Sequence, residues 1–160
     1  MSTLAQRINR AAESILENEG LTSNLDDEAA QALISWGVTC ARMVARSTAG
    51  LDDTEAEDAT SQRLRATRRL MRGVNRWIPK RLYKDAESNA TSLAEILDQS
   101  AIVYGADFTA LDGEWQQAFM NRNLEASPAQ LIANLRASIE DIVTDSGGGN
   151  DQEKFRQEIN

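Results

Sequence analysis

The sequence predicts an all-α protein, a single-domain bundle of five to six helices spanning residues 1–144, with a flexible, polar, glycine-rich tail over 145–160. Apolar residues recur every three to four positions along nearly the whole chain, the spacing of one helix face. Only two prolines and nine glycines interrupt 160 residues, which leaves long unbroken runs. No alternation of apolar and polar residues lasts long enough to seed a sheet, and the single β-like piece, Ala101–Tyr104, has no partner strand.

The first helix carries a stripe of Leu4, Ile8, Ala11, Ala12, Ile15 and Leu16, with Ser2 or Thr3 as its start signal and Gly20 as its stop. The second begins after Asn24, where Asp26, Asp27 and Glu28 favour the positive end of the helix dipole. Its face of Leu33, Trp36, Gly37, Cys40 and Val44, widened by Ile34 and Val38, marks it as the most buried helix. Arg42 and Arg46 close it. Gly37 costs helix stability relative to alanine, so a close approach of another helix is the expected reason for it. Trp36 and Cys40 are expected to be buried together.

After STAG (47–50), LDDTEAED opens a third helical region running to Ile78, with Thr60 or Ser61 offering a second cap. Pro79 is expected to end it, because its ring and missing N–H do not fit a helix interior. A fourth helix fits 88–103, with Leu93, Ile96, Leu97 and Ala101 facing inward. YGADFTALDG follows as a loop, in which Asp107 caps a short turn leading to Trp115 and Phe119. Ser127-Pro128 is a strong start pair for the last helix, whose inward face is Leu131, Ile132, Leu135, Ile139 and Ile142.

Composition narrows the function classes. A histidine-free chain with one cysteine has no Ser-His or Cys-His nucleophile, no His or Cys-cluster zinc site and no cysteine-ligated iron–sulfur cluster of its own. Neither GxxxxGK[ST] nor GxGxxG occurs. The acidic clusters LDDTEAED and DFTALDGE (107–114) lack the ligand order of an EF-hand loop and read as helix-start carboxylates and solvated faces. No catalytic residue, metal or cofactor is assigned, and the expected class is non-enzymatic. The N-terminus lacks the apolar region of a secretory signal, no apolar run approaches the length of a membrane span, and Cys40 has no partner for an internal disulfide. The expected setting is cytoplasmic.

One segment stands out. Ser61–Lys84 holds nine of the chain's 17 Lys and Arg residues and no acid, while the remaining residues carry 8 basic and 25 acidic side chains, a balance of −17. On a helix advancing about 100° per residue, Leu64, Thr67, Leu70, Met71, Val74, Trp77 and Ile78 fall within about 140° of arc. Arg65, Arg68, Arg69, Arg72 and Arg76 fall within about 100° of arc on the opposite side. Arg63 breaks the pattern at the edge of the apolar stripe, where its stem covers hydrophobic surface. Lys80, Arg81 and Lys84 extend the charge past Pro79, beside Tyr83.

Three readings of this ridge stay open. It can be neutralised by the chain's own acids, with LDDTEAED just upstream. It can dock an anion, and the choice of arginine favours bidentate contacts to carboxylate or phosphate. It can also lie on an anionic membrane surface, provided the apolar stripe leaves the core. The expected function is an interaction or adaptor module docking an acidic protein partner through Arg65, Arg68, Arg69, Arg72, Arg76, Lys80, Arg81 and Lys84. Nucleic-acid binding through the same segment, with Tyr83 free to stack, is the alternative; the net charge of −8 opposes it by repelling phosphate at long range. The oligomeric state stays open.

The stretches WGVTCARMVARSTAGLDD (36–53) and RLRATRRLMRGVNRWI (63–78) resemble small conserved helical proteins of cyanobacteria whose function is uncharacterised. The resemblance implies a cytoplasmic or thylakoid-facing setting and carries no functional residues across.

Overall fold

A computed structural model describes residues 4–17, 19–47, 53–80 and 86–146, and these form six α-helices and no strand. They are α1 (Leu4–Glu17), α2 (Asp27–Ser47), α3 (Asp53–Lys80), α4 (Ala86–Tyr104), α5 (Gly113–Arg122) and α6 (Pro128–Ser146). A 3₁₀ turn, Glu19–Leu21, follows α1. The all-α bundle is the observed architecture. Of the expected tail, residues 145 and 146 continue α6, and 147–160 lie outside the described residues.

Local chemistry sets most of the boundaries. Asp26 caps α2 by accepting from the backbone N–H of Ala29 at 2.8 Å, so the helix starts at Asp27, two residues later than the expected start after Asn24. Asp112 caps α5 by accepting from Trp115 N–H at 3.1 Å. Asp107 accepts instead from Thr109 N–H at 2.8 Å, shaping the turn before it. Ser127 and Gln130 bond reciprocally, each side chain accepting from the other's backbone N–H, which completes a capping box ahead of Pro128.

Two expectations about α3 are corrected. It runs without a break through Thr60 and Ser61, and Thr60 is buried, not acting as a second cap. Pro79 also lies inside its last turn, the helix reaching Lys80 rather than ending at Ile78. A proline removes one N–H but holds a helical φ, so the final turn absorbs it at the loss of one hydrogen bond. The partnerless β-like piece Ala101–Tyr104 is the last turn of α4, in keeping with the helix expected over 88–103. Its β-branched content yields to tertiary packing, with Val103 and Tyr104 both buried.

Helix α2 is the hub. It packs against α1, α3, α4 and α6, and it buries Ala29, Leu33, Trp36, Cys40, Ala41 and Val44. Gly37 is the point of closest approach: a Cβ there would stand 2.8 Å from Ile15 Cγ2 and 3.0 Å from Met71 Sδ. Three helices meet at that position only because it carries no side chain.

Helices α3 and α4 form the most extensive helix pair. From α3, Leu70, Met71, Val74, Trp77 and Ile78 point inward; from α4, Leu93, Ile96 and Leu97 do. Arg63 closes this seam, its Nε donating to the Val103 carbonyl at 3.0 Å and its Nη2 donating to the same oxygen. That carbonyl belongs to the last turn of α4, whose final C=O groups have no partner within the helix. Burial lowers the pKa of the Arg63 guanidinium. Phe119 of α5 sits between Trp77, at a centroid distance of 6.4 Å, and Trp115, stacked at 5.3 Å.

Candidate functional site

The outward side of α3 carries the arginines. Its inward stripe is sunk against α2 and α4, so the opposite face has no alternative but solvent. Arg65, Arg69, Arg72 and Arg76 are exposed. Their i, i+4, i+7, i+11 spacing sets them in one nearly straight line about 16 Å long. No described carboxylate bonds to any of the four.

Arg68 departs from the expected ridge. It lies on the flank and is half-buried, with its Nε enclosed and without a hydrogen-bond partner. A guanidinium whose stem is committed to packing has fewer donors free for an outside partner. Lys80 stands in the last turn of α3 by backbone position, while Arg81, Tyr83 and Lys84 lie outside the described residues.

The continuity of α3 bears on where the ridge can find acid. Asp53, Glu55, Glu57 and Asp58 occupy the first two turns of the same helix as the arginines. Asp58 stands seven residues, about 10 Å of axial rise, before Arg65. Side chains on one helix meet at three or four residues' separation, a spacing that no acid of this end has to Arg65, Arg69, Arg72 or Arg76.

A second constellation, absent from the sequence reading, lies inside the bundle. Trp36 Nε1 donates to the Tyr104 hydroxyl at 2.8 Å, and the Cys40 thiol approaches the same oxygen at 3.8 Å. The hydroxyl in turn faces Glu140 Oε1 at 3.4 Å. Glu140 is held by Arg136 Nε at 2.9 Å, and Arg136 Nη2 donates to Thr39 Oγ1 at 3.3 Å. The chain of contacts joins α2, α4 and α6. A shallow groove of about 190 Å³ between α2 and α6, lined by Ala32, Ser35, Ile132, Ala133 and Ala137, ends at Arg136 and Glu140.

Burial decides what this cluster can do. It pushes the Cys40 thiol up to about 12 and raises the Tyr104 phenol well above its ordinary range, the neighbouring thiol adding to the second shift. Both groups are therefore protonated at neutral pH. A thiol is a weak nucleophile until ionised, so the arrangement acts as a polar tie between helices. Among the described residues no group of three or more Cys, Asp or Glu side chains is placed to hold a metal ion. No described helix is long and apolar enough to cross a membrane.

A third polar site anchors the connection between α1 and α2 to the bundle. Asn75 of α3 is buried and accepts from Asn24 N–H at 3.1 Å, while its amide donates to the Gly20 carbonyl at 3.3 Å. One side chain thus satisfies a backbone N–H and a backbone carbonyl of this connection. The only sequence signal for it was a polar residue at the edge of the apolar arc of α3.

No family model, curated protein or solved structure matches the chain. The functional reading rests on its own residues.

Proposed function

We propose that this protein is a docking module that holds an acidic protein partner along the outward face of α3. The observation that carries this reading is the row of Arg65, Arg69, Arg72 and Arg76, exposed in one line on a helix whose other side is packed into the core. A guanidinium row without described carboxylate partners keeps its donors available for bidentate contacts to an incoming carboxylate. Lys80, Arg81 and Lys84 continue the positive charge beyond it in sequence. The acidity of the rest of the chain repels most anions at long range and favours one local approach, onto the row.

The test is a variant in which Arg65, Arg69, Arg72 and Arg76 are all replaced by Gln, assayed against a fluorescent polyglutamate peptide and a single-stranded oligonucleotide. Wild-type protein is expected to bind the peptide, and the variant to lose about tenfold or more, the equivalent of only about 1.4 kcal/mol. Equal peptide binding by the two proteins would overturn the reading. Tighter binding of the oligonucleotide, with affinity falling steeply as salt rises, would replace the protein partner with a nucleic acid.

A further inference from the structure

Resting on that reading, we infer that the acidic partner presents its carboxylates from an α-helix, at positions i, i+4, i+7 and i+11 of one face. The four exposed arginines stand on a rod that the core holds in place, since Leu70, Val74 and Trp77 sink its opposite side into the bundle. With Arg65 as origin, Arg69, Arg72 and Arg76 follow at about 6, 10.5 and 16.5 Å along the axis, within about 60° of arc. Arg68, half-buried on the flank, has no part in the match.

Which acidic chains fit that spacing depends on their rise per residue. A second helix carrying carboxylates at the same intervals has the same rise, so it sets one opposite each of the four arginines. The intervals of four, three and four residues read the same in both directions, so a parallel and an antiparallel approach match equally. An extended chain instead places its same-side side chains about 6.6 Å apart. Its third and fourth carboxylates then overshoot Arg72 and Arg76 by about 3 Å each. Guanidinium stems can lean to follow them, at the loss of bidentate geometry or of rotamer freedom. A helix also brings its carboxylates already ordered, whereas a disordered acidic tail loses conformational entropy on settling along the row.

The exposed positions from Gln62 to Arg76 are Gln and Arg alone, so the face offers no apolar floor. The partner's contact face is therefore acidic, unlike that of a helix that docks into a hydrophobic groove. The attraction is electrostatic and weakens as salt rises.

Three synthetic alanine-based peptides of about 20 residues, each carrying four Glu, test this against the full chain by fluorescence anisotropy at about 50 mM salt. The first sets its Glu at i, i+4, i+7 and i+11, and the second distributes them around the helix. The third keeps the first sequence except for two central prolines, which break the helix. Circular dichroism checks the state of each peptide. The wild-type chain is expected to bind the first about tenfold more tightly than either of the others. The variant with Arg65, Arg69, Arg72 and Arg76 all replaced by Gln is expected to bind the three equally weakly. If that variant does not fold, Arg69→Gln with Arg72→Gln replaces it, with a reduced preference for the first peptide as its readout.

Equal binding of the three peptides by the wild-type chain, lost in the variant, would overturn the helical partner and leave the docking function standing. Binding of polyglutamate alone would do the same, because its own like charges keep it extended. A chain that binds neither the peptides nor polyglutamate would overturn both. A preference for the first peptide that persists in the variant would place the site away from the row and sink this inference.

Discussion

The indole of Trp36 donates to the hydroxyl of Tyr104 at 2.8 Å, joining residues 68 positions apart in the chain. Both are buried, and the contact ties the hub helix α2 to the last turn of α4. The cost of losing it follows from what each partner would then face. An indole N–H without water or acceptor forfeits its full desolvation energy.

Tyr104→Phe is therefore expected to destabilise the fold by about 1–3 kcal/mol, since it strips the acceptor from Trp36 and the hydroxyl that faces Glu140. For a chain of this size that corresponds to a fall in Tm of roughly 2–4 °C for each kcal/mol. Thermal unfolding followed by circular dichroism reads the shift; an unchanged Tm would show that the cluster contributes no stability.

Cys40 predicts the pH dependence. Its folded pKa lies at about 12, against 9.0 for the free thiol. Above pH 9 the unfolded chain releases this proton while the folded one keeps it, so stability must fall as pH rises from about 9 toward 12. The slope from one such group is about 1.4 kcal/mol per pH unit. Tyr104, raised by the same burial, acts in the same direction at higher pH. Urea midpoints measured from pH 7 to 11 should decline, and Cys40→Ala should decline less steeply.

The same burial governs labelling. A bulky thiol reagent should modify Cys40 in the native protein only at the rate of opening, and quickly once urea unfolds it. Rapid labelling without denaturant would contradict the packing of α2.

Gly37→Ala tests the three-helix contact. Alanine gains about 1 kcal/mol of helix propensity, but its Cβ would press on Ile15 Cγ2, a methyl on a stiff branched side chain. Overpacking of this kind costs about 1–3 kcal/mol, so net destabilisation is expected, partly relieved by Ile15→Ala in the same chain. Urea midpoints of the two single variants and the double decide it.

Replacing the four exposed arginines with Gln should move Tm little. They make no ion pair with a described carboxylate, and like charges at i, i+4 repel one another by a few tenths of a kcal/mol. A large fall in Tm would mean that the row is held by the chain itself.

The sequence by itself determined the elements and their inward faces. The stripes containing Leu33, Trp36, Cys40 and Val44, or Leu70, Met71, Val74 and Trp77, are buried as their spacing required. Ser127-Pro128 and the helix-start acids marked boundaries through the local backbone groups they satisfy. The outward placement of Arg65, Arg69, Arg72 and Arg76 was legible for the same reason: a helix with one apolar side has only one side left for charge. Tertiary structure decided everything that depends on distant pairs. Trp36 meets Tyr104, Asn75 holds the Asn24 segment and Arg63 caps α4 because those helices pack together, and no local pattern encodes which partners a polar side chain will find across a core. The continuity of α3 through Thr60, which is buried, was likewise set by packing, which outweighs the local signal to cap. Local rules act within a turn or two, while burial is a property of the assembled bundle.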